Sequence, residues 1–158
     1  MAFKSLEKEL GIQSLTTTET VAKHALGKVV KGIDPTYGEG EFIYLQGIAS
    51  TVVGDAVVYD SAFLTTRAVA ASRGAVAVAL SANVASQYGW YQISGLATVK
   101  AATVVSGTAC QLTATAGTLD DTTTATNYVD GAVFKSADGT PSAGFAIALL
   151  SRPSANGR

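Results

Sequence analysis

The chain has 158 residues, a formal net charge of −1 at pH 7, 47% hydrophobic and 15% charged residues, and one each of histidine, cysteine and tryptophan. That length suits one domain with or without an extended arm, and the near-neutral charge argues against nucleic acid as a partner, which would require a clustered basic excess. The lone Cys110 excludes an internal disulfide, and so few charges on so apolar a chain point to self-association.

Residues 1–34 stand apart, because Lys4, Lys8, Lys23, Lys28 and Lys31 mix there with Glu7, Glu9, Glu19 and Asp34. The opening MAFKSLEKELG lacks the apolar run of a secretory signal, so the chain is expected to be made in the cytoplasm and to be soluble. Phe3, Leu6 and Leu10 recur at helical spacing, and Gly11 follows where a C-cap residue would stand. This predicts a short helical turn over 5–10, too short to persist without a partner surface. Thr16, Thr17, Thr18 and Thr20 favour extended chain, so 1–34 is expected as an arm lying across a neighbour, the alternative being a disordered tail, although from Leu26, with Val29 and Val30, the text becomes strand-like.

Residues 35–151 are expected to form a β-domain. Pro35, Gly38 and Gly40 mark a loop, EFIYLQ (41–46) a strand, Gly54-Asp55 a turn and AVVY (56–59) another strand, with a further one within 63–71. The stretch 74–99, GAVAVALSANVASQYGWYQISGLATV, contains no charged residue or histidine. A membrane span is excluded by Asn83, Gln87, Gln92, Gly89 and Gly95, which interrupt the apolar run. Alternation at period two instead predicts two strands and a turn: small and branched residues on both faces of 75–84, then Tyr91, Ile93, Ala97 and Val99 on one face. Trp90 falls on the other face, with Gln92, Ser94, Thr98 and Lys100. It admits two placements: the core, if a bulge at Gly89 or Gly95 flips the register, or an interface, where tryptophan is over-represented.

Farther on, 101–105 and 110–116 alternate apolar and hydroxyl residues, 118–127 is a polar loop, and 129–135 and 144–150 flank Asp138, Gly139 and Pro141 as a hairpin. Residues 152–158, rich in Pro, Gly and polar side chains, are expected to be a flexible tail. The fold class is therefore mainly β, a small β-sandwich or barrel-like domain with an extended N-terminal arm.

Active-site vocabulary is sparse. His24 lies in the arm with no adjacent nucleophile motif, no serine sits in a G-x-S-x-G elbow, and one Cys with one His cannot build a zinc site. Asp120 with Asp121, and Glu39 with Glu41, lack the alternating ligand spacing of a calcium loop, and Gly38 and Gly40 do not extend to a phosphate-binding motif. No catalytic, cofactor or metal residue is expected.

Four runs carry a resemblance: YGEGEFIYLQGIAS (37–50), GDAVVYD (54–60), VALSANVASQYGWYQISGLATVKAA (78–102) and FKSADGTPSAGFAIALLSRP (134–153). Together, over most of the chain after Leu26, they resemble the capsid decoration, or cement, proteins of tailed bacteriophages. The resemblance implies a non-enzymatic virion protein on the outer surface of an icosahedral head. Its partner would be the major capsid protein, and it would act as a homo-oligomer, a trimer or a dimer. The residues themselves nominate Phe3, Leu6 and Leu10 in the arm, and Tyr37, Tyr88, Trp90 and Gln92 in the β-domain, as interface positions. The competing reading is a carbohydrate- or receptor-binding module of a phage fibre or adhesin, using Tyr88, Trp90 and Gln92.

Overall fold

The structure is a computed structural model and describes residues 4–5, 14–122 and 127–156. It is all-β, as expected, and consists of one large antiparallel sheet that does not close into a barrel. The strands are β1 (Lys4–Ser5), β2 (Val29–Asp34), β3 (Gly38–Gln46), β4 (Ala56–Tyr59), β5 (Thr65–Arg67), β6 (Gly74–Ala79), β7 (Tyr88–Lys100), β8 (Ala109–Leu112), β9 (Leu119–Asp120), β10 (Tyr128–Phe134) and β11 (Phe145–Ala155). Their order across the sheet is β1-β2-β3-β7-β6-β11-β10-β8-β9, with β4 between β5 and β6.

The uncharged stretch supplies the pivot. The first half of β7 pairs with β3, from Tyr88↔Gln46 to Gln92↔Phe42, and the second half pairs with β11, from Ser94↔Ser151 to Lys100↔Phe145. β6 meets β7 at Val78↔Gln92 and β11 at Gly74↔Ala155, so β6, β7 and β11 each pair with the other two. The change of partner along β7 passes through Gly95, whose φ is +90°. A Cβ there would run into the Glu39 carbonyl, so only glycine fits.

The small-and-branched alternation of β6 has the purpose its sequence suggested. Val76 and Val78, with Ala56 of β4, enter the largest core cluster, beside Val99, Leu112, Phe134 and Leu150. Ala77 and Ala79, with Val57, enter a second cluster with Ile43, Leu45, Tyr91 and Ile93. Both faces of β6 are covered, and its side chains, none larger than valine, leave room for the neighbouring strands to pack close.

Three boundary expectations change. Ser5 pairs with Gly32 at the edge of β2, as Lys4 does with Ile33, so the predicted helical turn does not begin there; residues 6–13 lie outside the described residues. Val29–Asp34 is not arm but a full strand of the sheet. The expected flexible tail is strand through Ala155: Ser154 and Ala155 pair with β10 and β6, and Pro153 and Ala155 are buried. Pro153 is tolerated because it sits opposite the Asp130/Ala132 register shift, where the ladder is already interrupted and no N–H is needed.

Candidate functional site

The face of β7 that carries Trp90 is built by register. Tyr44↔Trp90 and Phe42↔Gln92 place these side chains together, and Val30↔Phe42 adds β2. The alternation therefore put Trp90 on the correct side, and no bulge flips it. What the sequence left open was the cover, and the cover is the chain itself. Residues 14–28 run over this face as a strap, with Leu15 fully buried and Leu26 partly buried in the same cluster as Trp90.

The strap is held by polar contacts as well as packing. Glu19 and Tyr88 exchange backbone hydrogen bonds, the Glu19 N–H to the Tyr88 carbonyl at 2.9 Å and the Tyr88 N–H to the Glu19 carbonyl at 2.8 Å. The Tyr44 hydroxyl donates to the Glu19 carboxylate and accepts the Lys23 N–H at 3.3 Å, while Lys23 Nζ lies 3.5 Å from Glu19. His24 packs edge-on to Tyr44, with ring centres 5.2 Å apart, and 5.4 Å from Trp90. Burial, reinforced by the bond to Glu19, pushes the Tyr44 hydroxyl up to about 12.

The nominated interface residues consequently separate. Trp90 and Gln92 are each only 2% exposed, so neither is a surface anchor in this fold. Gln92 Nε2 donates to the Ser94 and Leu96 carbonyls, both at 3.0 Å, which fixes the amide as internal bracing. Tyr88 is half-buried and stacked on Tyr44, with ring centres 6.4 Å apart. Tyr37 is half-buried in the β2–β3 turn, where Asp34 Oδ1 accepts the Thr36 and Tyr37 N–H groups at 2.6 and 2.9 Å. Tyr37 and Gln92 do share a groove of about 330 Å³, with Thr16, Val53, Leu80 and Thr98 also on its wall. Phe3, Leu6 and Leu10 lie outside the described residues.

Several ionisable groups are committed to structure. Asp55, fully buried, pairs with Arg67 Nε at 2.8 Å and Lys100 Nζ at 3.1 Å, and accepts the Val52 N–H at 3.0 Å. Arg67 also donates to the Ala116 carbonyl at 2.8 Å, so this clasp joins four segments of chain. Glu41 takes a two-point contact from Arg152 at 3.0 and 3.2 Å, and the guanidinium holds that carboxyl below the usual carboxylate range. Burial pushes the Cys110 thiol up to about 12, which leaves it a packing residue rather than a nucleophile. Among the described residues no three His, Cys, Asp or Glu side chains gather where they could hold a metal ion, and no helix is long and apolar enough to cross a membrane.

One surface escaped the sequence reading. The connections 47–55, 60–64 and 80–87 converge at the Gln46 end of β3. The Gly47 N–H donates to the Gln87 carbonyl at 2.7 Å, and the Gln46 N–H to the Phe63 carbonyl at 3.1 Å. Ile48, Leu64 and Val84 are exposed there, at 36%, 43% and 38%. The signal was present as missing charge: 46–54, 61–66 and 80–87 contain no ionisable residue.

No protein-family model, curated protein or solved structure matches the chain.

Proposed function

We propose that the chain is a structural virion protein that binds the outside of an icosahedral phage head and stabilises contacts between capsomers. Its partner is the major capsid protein, and it acts as a homo-oligomer, with a trimer favoured over a dimer. The runs that resemble decoration proteins fall on the sheet that organises the fold, namely β3, β4, β6–β7 and the β10–β11 hairpin.

The observation that carries the reading is the division of labour between charged and uncharged residues. Asp55, Glu19 and Asp34 are bound into internal contacts and Glu41 into a surface pair with Arg152, whereas aliphatic side chains such as Ile48, Leu64 and Val84 stand exposed on loops poor in charge. Such a body has apolar surface to offer. A glycan-binding reading would need Trp90 beside Gln92 at the surface, and both are buried.

Co-sedimentation with undecorated, expanded heads tests the proposal. Binding that saturates at a fixed number of copies per capsomer is the expected result. Absence of binding at micromolar protein would refute it.

A further inference from the structure

Around β6 the register assembles a row of residues that crosses five strands. Asp130 of β10 stands opposite Ser154 of β11, Ser154 opposite Ala75 of β6, Ala75 opposite Tyr59 of β4, and Tyr59 opposite Thr65 of β5. Ala75 is the smallest residue of the row and Gly74 precedes it, and both line a groove of about 400 Å³, a size within the range of small-molecule sites. Val29, Ile43 and Ile93 give it an apolar wall, and Tyr59 and the segment 152–156 form the rest.

Strict alternation would not bring Ser154 to this side of the sheet. Ala146, Ala148 and Leu150 enter the largest core cluster from even positions of β11, whereas Ala155 enters it from an odd one. The phase changes opposite Gly131: Asp130 pairs with Ser154 and Ala132 with Leu150, so one residue of β10 faces three of β11. Arg152 lies inside this bulge at φ 45°, in the left-handed region, and beyond it Ser154 and Asn156 line the groove. Bulges that re-aim side chains, and non-glycine residues held in a costly conformation, gather at binding sites.

We infer that this groove is a binding site for a neutral saccharide. The site is independent of the shell-binding reading. It shares no residue with Tyr88, Trp90 and Gln92, so the burial of Trp90 and Gln92 excludes a glycan site at that place and not here.

The polar groups select the ligand. Ser154 Oγ donates to Asn156 Oδ1 at 3.3 Å, and Asn156 Nδ2 donates to the Asp130 carboxylate, a chain that keeps acceptor capacity on the amide and carboxylate oxygens. Arg152 gives two of the five N–H groups of a guanidinium to Glu41, and its side chain is 65% exposed. The hydroxyls of a pyranose both donate and accept, which matches such a mixture, and its C–H face packs on the Tyr59 ring and the apolar wall.

Charges of both signs surround the groove. Lys31 stands opposite Glu41 across β2 and β3, Arg73 and Asp60 line the adjoining depression on the other side of Tyr59, and Asp130 lies behind Asn156. An ion of either sign therefore meets like charge, and a hydrocarbon leaves the amide and guanidinium without partners; both outcomes are costly. A neutral, hydroxyl-rich ligand incurs neither cost.

The test titrates the full chain with the methyl glycosides of glucose, galactose, mannose and N-acetylglucosamine, with methyl glucuronide as the charged comparison, and follows the backbone amides by NMR. At least one neutral glycoside is expected to bind at millimolar concentration or below and to shift the amides of Ala75, Ser154 and Asn156. Tyr59→Ala, Arg152→Ala and Ala75→Gln, the last of which fills the floor, are each expected to weaken it at least tenfold, and Val105→Ser, which alters a 62%-exposed valine outside the groove, to leave it unchanged. Thermal unfolding verifies that each variant keeps the fold, and Tyr59→Leu replaces Tyr59→Ala if that one does not. The inference is overturned by a lack of shifts with every neutral glycoside, by binding of the glucuronide alone, by shifts confined to another surface, or by native affinity in Arg152→Ala and Ala75→Gln. Each of these results leaves the shell-binding reading standing, and a failure to bind heads leaves the saccharide site standing.

Discussion

Glu19 and Tyr88 form a single antiparallel bridge, each giving its N–H to the other's carbonyl, and that bridge lays the strap across the face of β7 that carries Trp90. The tryptophan is thereby part of the core. Trp90→Ala should destabilise the fold by about 3–5 kcal/mol, the usual cost of emptying a large aromatic site. Urea unfolding followed by circular dichroism measures it. A loss under 1 kcal/mol with impaired head binding would restore Trp90 as a surface anchor.

Truncation separates arm from strap. Deleting 1–13 leaves Leu15, Glu19 and His24 in place, whereas deleting 1–20 removes the fully buried Leu15 and the Glu19 bridge and strips cover from Trp90. The shorter deletion should preserve the native Trp90 emission maximum. The longer one should shift it to the red and lower the melting temperature by several degrees. Within the 1–34 expected as an arm, residues 14–28 are thus a strap that completes the fold.

The Asp55 clasp supplies a second stability test. Asp55→Ala leaves Arg67 and Lys100 facing each other without their shared carboxylate, in a site where Asp55 is wholly removed from solvent and its partners are about one-quarter exposed. Breaking a buried pair from one side costs about 3–5 kcal/mol. Chemical denaturation should show that loss. Asp55→Ala with native stability would mean that the clasp is incidental.

How much of this was legible beforehand differs by residue. Period-two alternation placed Trp90 and Tyr91 on opposite faces correctly, since that pattern is local. The identity of the cover over Trp90 was not legible, because it depends on how 14–28 returns to β7 after the chain folds. Pro153 misled by its ordinary role as a strand breaker, when an irregular ladder opposite it makes its missing N–H harmless. Asp55 was read as half of a turn pair, and nothing local announces that Arg67 and Lys100 converge on it.

Alkaline pH should reveal the buried hydroxyls. Burial raises Tyr44 and Tyr91 from 10.0 to about 12 in the fold. A raised folded pKa means that the associated stability is fully present below the unfolded value and declines as pH rises through the window between the two. The urea midpoint should therefore hold steady to about pH 10 as far as these groups are concerned and fall from there to about 12. Absorbance at 295 nm should show two tyrosines ionising only with unfolding. Full ionisation of all six tyrosines near pH 10 in folded protein would contradict the placement of these two.

Image reconstruction of expanded heads mixed with the native chain tests the central claim most directly, because it shows whether the protein binds and where. The account predicts added density on the outside of the shell at a fixed number of copies per capsomer. Heads that carry no added density would contradict it.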